Sequence, residues 1–563
     1  MYMKHLVSGL LLSLAISGAA WAGPTPPARR AATQKHLIYF KDKAGSPFQL
    51  DQPDAFLSAR AQARRQRQNI ALTAQDLPVN PSYVAQLKAV PGVSYWYPSR
   101  WFNAVMISCD DATLAQVQAL PFVRQASPLN RKKTAAPASD TYAPVSAATQ
   151  RSVAGRRSDY GKAYAQAVQL GAVAMHDAGY RGEDMHIAVF DAGFPGVDKL
   201  TPFQPLFAEN RLASTYNFVD KQPAVFLRDG HGTSVLSTMA ASQPGFFTGT
   251  APKATYHLCI TEDVASETPV EEMNWLIAAE YADSVGVDII TSSLGYTTFP
   301  DFPAATHTYA ELDGNTAIGT RAADLAARVG ILVLNSAGND GNGAWRYIGV
   351  PADADSIIAV GAVDSVGIRS GFSSVGPTAD GRIKPDLAAR GGQAAVIRPS
   401  GAVVLGNGTS YACPILAGMT AGFWQANRNR TAQEIIALLK QSGTQAAAPD
   451  NLLGYGIPDF VRAYNLANPG TPLGTRPVHN RGEVRVYPNP SEADQFFLTL
   501  PAELQRRPVQ VRIFDTLGRL VSEQTLVGAA GPAQLSAAHL IAGTYSCLVN
   551  AGTVQYATRF VRR

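Results

Sequence analysis

A chain of 563 residues, 46% hydrophobic and 16% charged, is too long for one ordinary domain and apolar enough for several cores, so about two to four units are expected. The net charge of +5 is spread over the whole length. The basic clusters RAQARRQRQ, NRKK and GRRSD are short and lack interleaved aromatics, which argues against nucleic acid as a partner.

In chain order, MYMKH supplies a cationic start, LVSGLLLSLAISGAA a short apolar core and Ala20-Trp21-Ala22 a small-x-small cleavage site. This predicts a secretory signal peptide over residues 1–22. The apolar run falls short of the ~20 residues that span a bilayer, and no later segment is continuously apolar at that length, so export of a soluble chain is expected. Residues 36 to about 130 alternate strand-like HLIYFK and NAVMISC with helix-like PSYVAQLKAVPGV and DATLAQVQALPFV. The pattern predicts a small α+β unit of one sheet and two helices. A basic, Ala/Ser/Pro-rich linker, NRKKTAAPASDTYAPVSAATQRSVAGRRSD, follows and should be exposed and cleavable.

From about Tyr160 to Asn468 short apolar runs (MHIAVFDAG, ATYHLCI, VDIITSSLG, GILVLNSAGN, SIIAVGAV) alternate with helical stretches such as VEEMNWLIAAEYADSVG and TRAADLAARVG. This predicts an α/β domain, a parallel sheet with helices on both faces and its site at the carboxyl ends of the strands. After a second linker, NPGTPLGTRPVHNRG, alternating runs with regular turn signals predict a small C-terminal β-sandwich. Cys109, Cys259, Cys413 and Cys547 are scattered, without a C-x-x-C pair or a nearby histidine set. Buried free thiols are the preferred reading, with a Cys259 to Cys413 bridge left open.

Three polar residues stand where strands and helices would expose them. Asp191 ends IAVFD before a glycine, His231 sits between glycines in DGHGTSVLSTMA, and Ser410 opens the apolar segment GTSYACPILAGMTAGFW. A serine hydroxyl needs a base to accept its proton, and the base needs an acid to fix its tautomer and stabilise its cation. Pro414 is expected in the first turn of the Ser410 helix, where its missing N–H is tolerated. Asn339, ending VLNSAGN, can donate to an oxyanion together with the Ser410 backbone N–H.

Taken together, DAGF, DGHGTSVLS, GTAPKATYHLC, SSLG, SAGND and GTSYACP resemble, in order and spacing, the motif set of subtilases, the subtilisin-like serine peptidases. The resemblance covers roughly residues 160 to 466. It implies Asp191, His231 and Ser410 as triad, Asn339 as oxyanion donor, and Ser293, Leu294, Gly295 with Ser336, Ala337, Gly338 as substrate-lining segments. It implies a cleft that takes an extended peptide as an added strand, and no cofactor for the chemistry. Ala192 and Arg390 depart from the family pattern, which has Ser or Thr and Pro there. Structural calcium is also implied; Asp301, Asp313 and Asp340 are acidic candidates without a regular ligand spacing, and solvated loop residues are the equal alternative.

Residues 23–135, with the linker to about 159, are similar to the inhibitory propeptide of subtilases. After the 467–482 linker, residues 483–563 resemble the sorting domain of type IX secretion substrates, on VYPNP, VRIFDTLGRLV, LIAGTYSCLV and the basic end RFVRR. The expectation is therefore a subtilisin-like endopeptidase, secreted or held at the cell surface after crossing the periplasm. Its partners would be protein or peptide substrates, its own propeptide and the outer-membrane secretion machinery. The alternative is a catalytically silent subtilase scaffold used for surface binding or adhesion; an esterase or ligase on the same triad is a third reading.

Overall fold

The structure, a computed structural model, describes residues 33–130, 157–473, 478–479, 484–500, 508–515, 520–527, 532–551 and 554–563. The expected signal peptide, nearly all of the basic linker and part of the second linker lie outside the described residues. Contacts divide the chain into two units, Met1–Ala463 and Tyr464–Arg563.

The first unit begins with β1 (Gln34–Phe40), α1 (Ala59–Arg67), α2 (Pro81–Lys88), β2 (Ser94–Ser99), β3 (Ala104–Cys109), α3 (Asp111–Gln118) and β4 (Val123–Pro128). The strands form an antiparallel sheet in the order β2-β3-β1-β4. Period-two alternation sends Ile38, Phe40, Val105 and Ile107 to a core shared with Leu87 of α2 and Val117 of α3. Leu37, Tyr39, Ala104 and Met106 point the other way, into the core of the following α/β domain. Asn80 and Asp110 cap α2 and α3, accepting from the N–H groups of Ser82 and Thr113. The expected two helices are present, but so is a third. The cluster RAQARRQR forms α1, capped by Ser58, in which Ala61, Arg64 and Arg65 are buried. Its guanidiniums meet carboxylates of the next domain, which is why a segment so polar folds inward.

The α/β domain carries β5 (His186–Asp191), β6 (Leu212–Asn217), α4 (His231–Ala240), β7 (Thr255–Ile260), α5 (Val270–Val285), β8 (Ile289–Ser292), α6 (Ile318–Arg328), β9 (Leu332–Ser336), β10 (Ile358–Val363), β11 (Leu387–Arg390) and α7 (Thr409–Gln425). All seven strands are parallel, in the order β11-β10-β9-β8-β5-β7-β6. Helices α5 and α6 pack together over one face, on Ala188, Phe190, Ile290 and Val333, while α4 and α7 pack together against the sheet. Near-continuously apolar strands follow from burial on both faces.

In the second unit, Val554–Arg562, Gly543–Ala551, Pro508–Phe514 and Leu520–Val527 run side by side in one sheet with the short Val478–His479 at its edge. Arg485–Tyr487, Gln495–Thr499 and Ala533–Ser536 form a second. Val486, Phe496, Leu498, Val511, Ile513, Tyr556 and Phe560 share one core between them, the sandwich that the alternation predicts. No helix among the described residues is long and apolar enough to cross a membrane.

Candidate active site

Helix α7 is buried from Thr409 to Trp424. Each fully buried Ile, Leu, Met or Phe on it contributes about 1.5–3 kcal/mol relative to exposure, so its N-terminus is held rigidly. Pro414 is the sixth residue of this helix and lies in its second turn, not in the first as expected. A proline there cannot donate to the carbonyl four residues earlier, which is that of Ser410. The Ser293 hydroxyl takes that place, donating to the Ser410 carbonyl at 2.9 Å. Ser410 Oγ in turn lies 3.3 Å from the Ser293 carbonyl oxygen. The nucleophile candidate and the end of β8 are thus tied by two reciprocal contacts.

Asp191, at the carboxyl end of β5, is fully buried. Its carboxylate lies 2.9 and 3.1 Å from His231 Nδ1 and accepts the Ala192 N–H at 2.8 Å. The side chain of His231 is 25% exposed, and the backbone N–H of the residue donates to Asp229 Oδ1 at 2.7 Å. Burial works against a charged imidazole here, but the charge and hydrogen bond of Asp191, with Asp229 behind them, prevail and raise the His231 pKa above 6.5. Gly232 lets the two approach: a Cβ there would stand 2.4 Å from the Gly193 carbonyl and 2.9 Å from Asp191 Cβ. The His231 ring sits 6.0 Å from the ring of Tyr411, next to Ser410. No hydrogen bond among the described residues joins Ser410 Oγ to His231; the serine hydroxyl points instead to Ser293.

Asn339 lies just past β9, on the surface. Its side-chain oxygen accepts from Thr409 N–H at 2.9 Å and from Thr409 Oγ1 at 3.0 Å, which fixes the oxygen end of its amide on Thr409. The Ser410 N–H is among the first amides of α7, which a helix leaves without internal partners. Thr409 was not singled out from sequence. Its place directly before Ser410 was legible, but its bond to a loop 70 residues away was not.

The segments Ser293–Gly295 and Ser336–Gly338 lie at the carboxyl ends of adjacent strands, β8 and β9. The Leu294 carbonyl accepts from Asn335 Nδ2 at 2.9 Å, which staples the two segments together. Ala337 is committed to the fold, its N–H to Val360 and its carbonyl to Gly349. Gly338 N–H donates to Thr409 Oγ1 at 3.3 Å, and Gly295 is exposed. Arg390 ends β11, with its guanidinium on the Gln393 carbonyl.

The carboxylates named for calcium do not converge. Asp313 closes its own turn on Asn315 and Thr316, and Asp301 accepts from the Glu267 N–H. Among the described residues, Glu262, Glu267 and Glu271 are the acidic group that gathers, with ligand oxygens within 4.8 Å. Glu271 already accepts from the amides of Asp263 and Thr268, and Glu262 from the Tyr296 hydroxyl. Burial raises the pKa of both, with the charges of Asp191 and Asp263 adding to it at Glu262 and that of Glu262 at Glu271. The three carboxylates are compatible with a bound cation, at a place other than Asp301, Asp313 and Asp340. The four cysteines are buried free thiols, as preferred, and burial pushes Cys413 up to about 12.

Comparison with known proteins matches three successive stretches. Residues 35–141 match the peptidase S8 propeptide domain of Bacteroidota, 182–456 the subtilase family, and 485–563 the secretion system C-terminal sorting domain, which marks a chain for secretion or the cell surface. Subtilisin NAT of Bacillus subtilis subsp. natto is 34% identical over 268 residues, 46% of this chain and 61% of that one. Subtilisin E of Bacillus subtilis is 33% identical over the same shares, and subtilisin of Bacillus pumilus 33% identical over 45% of this chain and 81% of its own. The chain thus spans about three fifths of the first two relatives and four fifths of the third. With its parallel sheet and the stretches flanking it, the chain belongs to the subtilase family.

Proposed function

We propose that the protein is a secreted serine endopeptidase made as an inhibited precursor. Residues 1–22 direct export into the periplasm, 23–135 with the linker to about 159 form the propeptide, 160–466 the peptidase, and 483–563, after the 467–482 linker, engage the outer-membrane machinery. The supporting observation is the 2.9 Å pairing of His231 Nδ1 with buried Asp191 beside the first turn of the Ser410 helix.

In this reading Ser410 Oγ rotates from Ser293 toward His231 Nε2 and attacks the carbonyl of an extended peptide paired along Ser293–Gly295 and Ser336–Gly338. Hydrogen bonds of this kind are often unformed in a free enzyme and tighten with substrate. His231 accepts the serine proton, Asp191 stabilises the imidazolium, and Asn339 Nδ2 with the Ser410 N–H receive the oxyanion. The imidazolium then protonates the leaving amine, and water resolves the acyl-enzyme with His231 again as base. No step draws on a metal or cofactor.

The test is to express the chain without residues 1–22 beside Ser410→Ala and follow both by intact mass and by labelling with a fluorophosphonate serine probe. Wild type should lose its N-terminal segment and label, and Ser410→Ala should do neither. If wild type still fails to label after the N-terminal segment has been removed by an added protease, the catalytic reading falls and the binding scaffold replaces it.

A further inference from the structure

Helix α1 lies far from the triad candidates. Its arginines reach the amino ends of the parallel strands, at Asp184 before β5, Asp288 before β8 and Val329 before β9, whereas Asp191, Ser293 and Asn339 lie at or beyond the carboxyl ends. Arg64, fully buried, donates Nη1 to the Val287 carbonyl at 2.7 Å and Nε to that of Val329 at 3.2 Å, and pairs with Asp283. Arg65 and Arg100 bind the same carboxylate at 2.7 and 2.5 Å. Arg60, one turn before Arg64, donates to the carbonyls of Gly286 at 3.0 Å and Asp184 at 2.7 Å and pairs with Asp288, which Arg67 also reaches at 3.4 Å. Gln68 closes the row, Nε2 on the Gly330 carbonyl at 2.7 Å and Oε1 receiving the Ala432 N–H at 2.9 Å.

Asp283 belongs to the α/β domain and is fully buried, yet every cation on it among the described residues comes from before residue 130. Its charge is therefore balanced only while those arginines are in place, and removing one of them from the buried cluster is costly. The carbonyls of Gly286, Val287, Val329 and Gly330, which accept from Arg60, Arg64 and Gln68, lie where α5 and α6 end, and the last C=O groups of a helix lack internal donors. The planar fork of arginine suits such a set of acceptors, and lysine lacks it. The fit is close: Gly286 has φ +87°, and a Cβ on it would stand 2.7 Å from the Ala61 nitrogen of α1.

We propose that this corner of the peptidase domain, at the pole opposite the triad, is a guanidinium-binding exosite for a helix presenting arginines one turn apart, and that α1 is its occupant. The inference rests on the reading of residues 23–135 as a propeptide that separates from the peptidase. The exosite holds that propeptide through contacts independent of the cleft, and falls vacant only when α1 leaves.

The test uses the full-length Ser410→Ala chain, so that its outcome does not depend on catalysis. Trypsin cuts the linker, and the fragments are followed by mass and size exclusion at about 0.15 M and about 1 M salt. The N-terminal fragment should stay uncut at Arg60, Arg64, Arg65 and Arg67 and co-elute at both salts, since buried pairs are little screened. An excess of a peptide spanning Leu57–Ile70 should speed loss of the fragment about tenfold, and the same peptide with lysine at its arginine positions should not. Arg60→Ala, at the rim of the contact and so compatible with folding, should release the fragment about tenfold faster, and Arg64→Ala, if soluble, about 100-fold faster. Tryptic cleavage within α1, equal effects of the two peptides, or release from Arg60→Ala at the wild-type rate would each overturn the proposal. Fluorophosphonate labelling of the Ser410 chain reports separately on the catalytic reading.

Discussion

The side-chain oxygen of Asn339 accepts two hydrogen bonds from Thr409, at 2.9 Å from its N–H and 3.0 Å from its hydroxyl. An amide held by its oxygen presents its nitrogen, so in the proposed mechanism Thr409 sets which end of Asn339 meets the oxyanion. Thr409→Val keeps the shape and the N–H but removes the hydroxyl, and should lower kcat about tenfold with KM little changed. Asn339→Leu should lower kcat by about 100- to 1,000-fold, a magnitude carried over from the corresponding asparagine of subtilisin. Steady-state kinetics on a peptide substrate checks both; equal kcat for Thr409→Val and wild type removes the positioning role.

In the proposed mechanism the raised pKa of His231 sets the acid limb of activity. The base must be neutral to accept a proton, so kcat/KM should fall as pH drops through an apparent pKa above 6.5. Asp191→Asn removes the charge that offsets burial, which should move that limb downward and cost about 10,000-fold in kcat. A pH–rate profile of both proteins decides it: a limb that does not move would mean that Asp191 is not what holds the proton on His231.

Gly232→Ala places a methyl 2.4 Å from the Gly193 carbonyl and against Asp191 Cβ. The start of α4 must shift away from β5, opening the His231–Asp191 pair. A displacement of about 1 Å is expected to cost about 100-fold in kcat. Kinetics read with thermal unfolding distinguishes a displaced histidine from a destabilised fold.

Acid should loosen the arginine row only at low pH. Burial pushes Asp283 and Asp288 up, but the guanidiniums of Arg64, Arg100 and Arg65 on the first, and of Arg60 and Arg428 on the second, hold both below 3.8. A carboxyl depressed by its partners stabilises the contact above its ordinary pKa and loses that contribution as pH falls through the depressed value. Linker-cut fragments should therefore co-elute at about pH 5 and part only below 3.8. Separation at pH 5 would contradict this.

Thiol reagents should leave activity untouched. Cys413 sits one turn from Ser410 in α7, but burial holds its thiol protonated at ordinary pH. Iodoacetamide at about pH 8 should modify none of the four cysteines in the folded protein by mass, and any loss of rate would mean that α7 opens.

The periodicity of the chain was enough to order its parts. Continuous apolar strands alternating with helices can be buried only as a covered parallel sheet, and IAVFD, HGTSV and GTSYACP had to fall at its carboxyl end because that is where such strands expose polar residues. Local rules misjudged what depends on distant partners. Pro414 reads as a harmless first-turn residue, yet it lies a turn deeper, and Ser293 supplies the donor it lacks across 117 residues of sequence. Thr409 reads as a helix-start threonine until Asn339 is folded onto it. Asp301, Asp313 and Asp340 share a composition but not a place. RAQARRQRQ shows in the sequence only as a short basic cluster, because the energy of burying a guanidinium is decided by the carboxylates and carbonyls that meet it, and those lie about 120 to 270 residues away, where only the tertiary fold brings them.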